Sequence, residues 1–200
     1  SDAEASNFGI LAGNGGVANS EARGVTYAYV PVSADINAIN DVTIEAVGEN
    51  TANSHANGNA IGILAIGLVK SRATVSPSTT AYLGADINAG GSLDVRARGV
   101  DDADATSRAA NGGILAGVGS DARADSTPLL RAFVLDNTVV NVGRDINVLT
   151  QTFADADAVA NGVSGGVFKI GLSDAFAYAV PTLDSYAGRN VSLQAGRDVR

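Results

Sequence analysis

Small apolar and polar residues alternate through most of this chain, and the alternation breaks only at clusters rich in Gly, Asn and Asp. Val42-Thr43-Ile44-Glu45-Ala46, Leu93-Asp94-Val95-Arg96-Ala97 and Ile146-Asn147-Val148-Leu149 are alternating or apolar with β-branched enrichment, which predicts strands. Each follows a turn-forming group: Asn40-Asp41, Gly90-Gly91-Ser92 or Gly143-Arg144-Asp145, with Gly196-Arg197-Asp198 completing a fourth copy. A second strand is predicted just upstream, at Asp86-Ile87-Asn88-Ala89 and Val139-Val140-Asn141-Val142. In Ala103–Ala109 and Ala154–Ala160, alanine recurs at every second position with polar residues between. That period of two predicts strand, not the helix that alanine content alone suggests. Asn111-Gly112 and Asn161-Gly162 read as turns.

The pattern repeats. The runs Gly9-Ile10-Leu11-Ala12, Gly62-Ile63-Leu64-Ala65, Gly113-Ile114-Leu115-Ala116 and Gly166-Val167-Phe168-Lys169 align at spacings of 51 to 53 residues. Nineteen residues after the first apolar residue of each run stand Tyr29, Tyr82, Phe133 and Tyr186. Pro77, Pro128 and Pro181 share one offset, whereas Pro31 sits seven residues late. Asn37, Asn88, Asn141 and Gln194 form a further matched column, which predicts an amide ladder if the copies stack in register and corner capping if they do not. Units one and three carry Gly13 and Gly117 where two and four carry Ile66-Gly67-Leu68 and Ile170-Gly171-Leu172, a superperiod near 104 residues.

A fixed period of this size predicts a stacked array, because one unit alone cannot bury its apolar face. Residues 1–200 read as a single repeat array with approximate units 1–52, 53–103, 104–154 and a truncated 155–200. The chain opens partway into a unit and stops at Asp198-Val199-Arg200, so further repeats are expected on both sides. Three or more short strands per unit, glycine corners and no helix predict an all-β, parallel β-helix or β-solenoid. Two or three coils per unit would make a rod roughly 35 to 60 Å long. A string of small sandwiches is the competing architecture, and about 52 residues is thin for a sandwich core without disulfides.

Composition narrows the function. Hydrophobic residues reach 46 %, with only five Phe and five Tyr, so the predicted core consists of small side chains. Cysteine is absent, which removes disulfides and thiolate chemistry. With 21 acidic and 13 basic residues the net charge is −8, which disfavours a nucleic-acid partner. No apolar run approaches the ~20 residues of a membrane span.

Candidate chemistry is sparse. His55 is the only histidine and reads as an exposed loop residue. Gly162-Val163-Ser164-Gly165-Gly166 matches the nucleophile-elbow pattern by letter, but no histidine follows it. The clusters Asp101-Asp102-Ala103-Asp104 and Asp155-Ala156-Asp157 would project alternate carboxylates from one strand face, where Ca²⁺ is the one cofactor to consider. The G-G-x-G-x-D calcium pattern is missing, and a solvated acidic face is the simpler reading. Asp41, Asp145 and Asp198 recur with the period, as corner residues do and a unique active site does not. No catalytic, metal or cofactor-binding residue is therefore assigned, and the chain is not expected to be an enzyme. The alternative function is glycan binding or polysaccharide cleavage on a solenoid face, where exposed Tyr27 or Tyr178 would stack on sugars. A flat ice-binding or mineral-binding face would need regular threonine ranks, which are not seen.

The phrases Ala89-Gly90-Gly91-Ser92-Leu93-Asp94-Val95-Arg96-Ala97, Val142-Gly143-Arg144-Asp145-Ile146-Asn147-Val148 and Ala195-Gly196-Arg197-Asp198-Val199 resemble repeats of large bacterial filamentous-haemagglutinin-type adhesins. Gly113–Ala124 resembles the long repeats of the leukotoxin-family filamentous adhesins. The resemblance covers essentially the whole chain. It implies a right-handed parallel β-helix, export to the cell surface or medium, and a fibre serving adhesion or biofilm, with no catalytic residues. The implied partners are neighbouring repeats or copies of the chain itself, and host or matrix glycans.

Overall fold

The computed structural model describes residues 1–200 and is all-β. Twelve strands follow one another: β1 (Asp2–Ala22), β2 (Val25–Val30), β3 (Asp35–Ala38), β4 (Val42–Val75), β5 (Ser78–Leu83), β6 (Asp86–Ala89), β7 (Leu93–Ser126), β8 (Leu129–Val134), β9 (Val139–Val142), β10 (Ile146–Ala179), β11 (Thr182–Ala187) and β12 (Ser192–Ala195). They form three parallel sheets of four strands, ordered β1-β4-β7-β10, β2-β5-β8-β11 and β3-β6-β9-β12. The chain is a parallel β-solenoid.

Every strand pairs with its equivalent one unit away, as in Val42 with Leu93 and Leu93 with Ile146. Each 51-to-53-residue unit is therefore one coil, not the two or three allowed for above. Four layers at ~4.8 Å make a stack about 20 Å high, well short of the expected rod.

The reason lies in the long strands. A straight strand of 34 residues would reach about 110 Å. Yet Ser71 Oγ donates to the Ser54 carbonyl at 2.7 Å, across 17 residues that would span about 56 Å if straight. Ser120 Oγ likewise donates to the Ser107 carbonyl at 2.9 Å. Each long strand thus runs outward, turns back and returns, making a thin arm of two limbs. The apex falls at Gly62-Ile63 and Gly113-Ile114, where the ladder between β4 and β7 is interrupted. The recurring Gly-Ile-Leu-Ala run is the tip of the arm.

Two kinds of core follow. At the base of the arm the three sheets enclose larger side chains, among them Leu83, Ile87, Leu93, Leu130, Val134, Val140 and Ile146. Within the arm the facing residues are mostly alanines: Ala52, Ala73, Ala103, Ala105, Ala122 and Ala124 form one cluster, and Ala12, Ala60 and Ala65 another nearer the tip. A serine hydroxyl of one limb touches the backbone of the other, so the limbs stand closer than the ~10 Å of ordinary stacked sheets. Alanine and serine fill most of these positions, with Val69, Val75 and Val118 the largest side chains between the limbs. The hydroxyl pairs Ser54–Ser71 and Ser107–Ser120 are buried and satisfied, and Ser54 and Ser107 also donate to Ala18 and Val69 carbonyls in the coil below.

The corners use turn chemistry. Asp41 Oδ1 accepts from Ser92 N at 2.7 Å and Asp145 Oδ1 from Asp198 N at 3.3 Å, so corner aspartates cap amides one coil away. Pro77, Pro128 and Pro181 precede β5, β8 and β11, where a missing N–H removes no ladder bond. Pro31 occupies a different corner, after β2, and the Ala34 amide donates back to its carbonyl, which explains its displaced offset. Asn137 and Asn190 hold the equivalent later corners at φ of 60° and 56°. Asn137→Ala should lower stability by about 1 kcal/mol, the cost of a left-handed alanine. Asn137→Gly should lose less in the same urea titration, because only the 3.2 Å bond from Asn190 is removed.

Candidate functional site

In-register stacking turns each repeated residue into a column. Tyr29, Tyr82, Phe133 and Tyr186 stack with centroid separations of 5.1, 5.2 and 5.0 Å and interplanar angles of 12°, 7° and 3°. Each contact contributes about 0.5–1.5 kcal/mol beyond area burial. The two inner rings have both faces covered, so they offer only edges to a ligand. Asn37, Asn88, Asn141 and Gln194 lie side by side in β3, β6, β9 and β12, and Asn141 Nδ2 donates to Asn88 Oδ1 at 3.1 Å. One coil per unit makes them adjacent, but only the Asn88–Asn141 step is bonded; Asn37 Nδ2 donates to Asp35 Oδ1 at 3.5 Å instead. They line a shallow groove of about 650 Å³ parallel to the stack, bounded by Ile39, Gly90 and Gly196.

The acidic residues divide between two faces. Asp102 pairs with Asp155, and Asp104 with Asp157, on the outer face of the outgoing limb. Burial pushes the Asp104 carboxyl up, and Asp102, Asp157 and Asp155 add to the shift. No group of three carboxylates or imidazoles converges closely enough to share a cation.

Asp101 points the other way. It is 1 % exposed, facing inward where the arm joins the base, and receives Asn50 Nδ2 at 2.9 Å. Burial pushes its carboxyl above the ordinary aspartate value, with the bonds from Asn50 and Thr152 opposing. A raised native value means that the folded state holds the proton more tightly than the unfolded chain, so this group's stabilisation is complete below the ordinary value and is lost as pH rises through the native one. Asp101→Asn should therefore unfold later than the parent at pH 7, by about 1 kcal/mol for a poorly compensated buried group. The gap should close as thermal melts are taken down through pH ~4.

Other candidates do not assemble. His55 lies in β4 on the outer face of the arm, not in a loop, and its Nδ1 is 3.8 Å from Asp2. Ser164 stands near the arm tip in β10, where its hydroxyl donates to the Ala116 carbonyl at 3.2 Å; no helix follows it. Asn111 closes its tip, with Nδ2 donating to the Gly117 carbonyl and Oδ1 accepting from Ala60 N. Asn161-Gly162 lies within β10, four residues short of the apex glycine Gly166. Tyr27 and Tyr178 are exposed, but in different sheets and different coils.

On the returning limb, alternating coils carry different side chains. Gly13, Ile66, Gly117 and Ile170 share one column, and Gly15, Leu68, Gly119 and Leu172 the next on that face. Their meaning depends on one-coil stacking, which the superperiod alone did not reveal. No known family, curated protein or solved structure matches the chain.

Proposed function

We propose that this chain is a structural, non-catalytic segment of a long bacterial surface fibre serving adhesion or biofilm. The observation that carries this reading is the uniformity of the columns: aromatic, amide and corner positions recur in every coil. A rod extended by such columns grows by adding coils, and neighbouring repeats or other copies of the chain are its natural axial partners. The net charge of −8 suits a solvated exterior. Antiserum to the purified chain should label unpermeabilised cells of the source organism in filaments, as seen by immunogold electron microscopy. Label confined to the cell interior would overturn the proposal.

The amide-lined groove of about 650 Å³ favours a second reading, binding of a linear glycan along the stack. Amides at a ~4.8 Å pitch offer donors and acceptors in a row. A glycan array probed with the purified chain would show hits lost in Asn88→Ala and Asn141→Ala; an array without hits would remove this reading.

A further inference from the structure

The outer face of the returning limb is apolar and corrugated. Ile66 and Leu68 in the second coil are 58 % and 52 % exposed, and Ile170 and Leu172 in the fourth are 75 % and 76 % exposed. Gly13 and Gly15 stand level with them in the first coil, and Gly117 and Gly119 in the third. Ridges thus alternate with glycine furrows every two coils, roughly 10 Å. Toward the tip the column Leu11, Leu64, Leu115 and Phe168 is apolar throughout. Toward the base, Lys70 in the second coil is followed by Asp121 in the third, 3.8 Å away. A contiguous exposed apolar patch of this kind marks an interaction surface.

We infer that this face pairs with the same face of a second copy, the two stacks running antiparallel about a two-fold axis that lies along the strands between the second and third coils. The axis reverses coil order while keeping each column opposite itself. Ile66 then meets Gly117 of the other copy, and Leu68 meets Gly119. Gly13 and Gly15 meet Ile170 and Leu172. The Ile66 ridge enters the open Gly117 furrow, while Leu68 Cδ1 already leans over Gly119 of its own chain and packs there against its counterpart; every contact occurs twice, as an isologous interface requires.

In the inner coils the charges match: Lys70 falls opposite Asp121 of the second copy, while at the outer coils Asp174 falls opposite Val17 at the rim. Arg72 falls opposite Arg123, but both guanidinium groups are held by Asp125, at 3.3 and 2.8 Å, which reduces their repulsion. A parallel pairing about an axis along the stack brings each coil against itself, ridge on ridge and furrow on furrow, and reverses the columns so that Lys70 faces no Asp121. Shape and charge therefore select one arrangement. The inference needs only the folded coils and stands apart from any role at a cell surface.

Sedimentation equilibrium of the chain over a concentration series tests it. The parent chain should pass from monomer to dimer. Gly117→Ile sets a ridge against a ridge and should raise the dissociation constant at least about tenfold. A first added carbon at Gly117 lies 3.9 Å from Ile66 of its own chain, so the coil accommodates it, and an unchanged circular dichroism melt would verify folding. The exchange Ile66→Gly with Gly117→Ile moves the ridge and restores complementarity, so it should return the constant to within about threefold of the parent. Orientation has its own readout, since the chain has no cysteine. A short bismaleimide should link Gly13→Cys to Ile170→Cys in a mixture and link neither variant to itself, because each stands three coils, about 14 Å, along the stack from its own counterpart. A chain monomeric at all concentrations, a Gly117→Ile variant that dimerises as the parent does, an exchange that fails to restore, or self-linking of Gly13→Cys would each overturn the inference.

Discussion

Ala122→Leu should destabilise the chain by about 3 kcal/mol, at the upper end of what overpacking costs. Ala122 is fully buried in the returning limb of β7, against Ala103, Ala105 and Ala124. The space there is one short side chain thick, fixed by the hydroxyl of Ser120, which bonds both the Ser107 carbonyl and its hydroxyl. Leucine adds three carbons that have nowhere to go unless the limbs separate, and separation breaks those bonds and exposes alanines in neighbouring coils. For a chain of this length the melting temperature should fall by roughly 6–12 °C. Arg108→Leu, on the exposed side of the same arm, should change stability by no more than about 0.5 kcal/mol in the same calorimetric scan.

A single methyl group at the arm tip should cost about 2 kcal/mol or reverse sign, depending on which of two adjacent glycines receives it. A Cβ on Gly113 would fall inside contact distance of the Gly62 carbonyl and 3.2 Å from the Ile63 oxygen. Both are backbone atoms of the coil below and cannot rotate aside. A Cβ on Gly112 would meet nothing within 4 Å, and no glycine of the chain has positive φ. Gly113→Ala should therefore unfold at lower urea concentration than the parent. Gly112→Ala should be stabilised by about 0.4–1 kcal/mol through the reduced freedom of its unfolded chain. Equal effects at both positions would show that the tips of neighbouring coils are not in backbone contact.

Columns were readable because a parallel stack in register repeats its side-chain environments, so Tyr29, Tyr82, Phe133 and Tyr186 announce a shared position before any coordinate is known. The strand starts at Val42, Leu93 and Ile146 were legible for a related reason: each follows a corner whose Gly or Asp breaks the alternation. The number of coils was hidden. Alternation fixes which side a residue faces but says nothing about where an extended segment folds back, and the only mark of the apex is a glycine with apolar neighbours. That run reads equally well as continuing strand. Asp101 shows the other side of this: alternation sets it on the side of Ala103 and Ala105, opposite Asp102 and Asp104, but an aspartate beside two others does not announce that its side is buried.

Pairing one coil to each unit sets a ratio between height and stored chain. A coil adds about 4.8 Å to the stack while holding 51 to 53 residues, or roughly 170 Å of extended polypeptide. Tension applied along the stack is resisted by side-chain columns and by backbone bonds that lie along the pull. When one coil gives way it releases a length many times the height it occupied, while the coils behind it stay paired with one another. Such a chain lengthens in large, separate steps under load and dissipates energy at each one, so it behaves as a shock absorber with as many stages as it has coils.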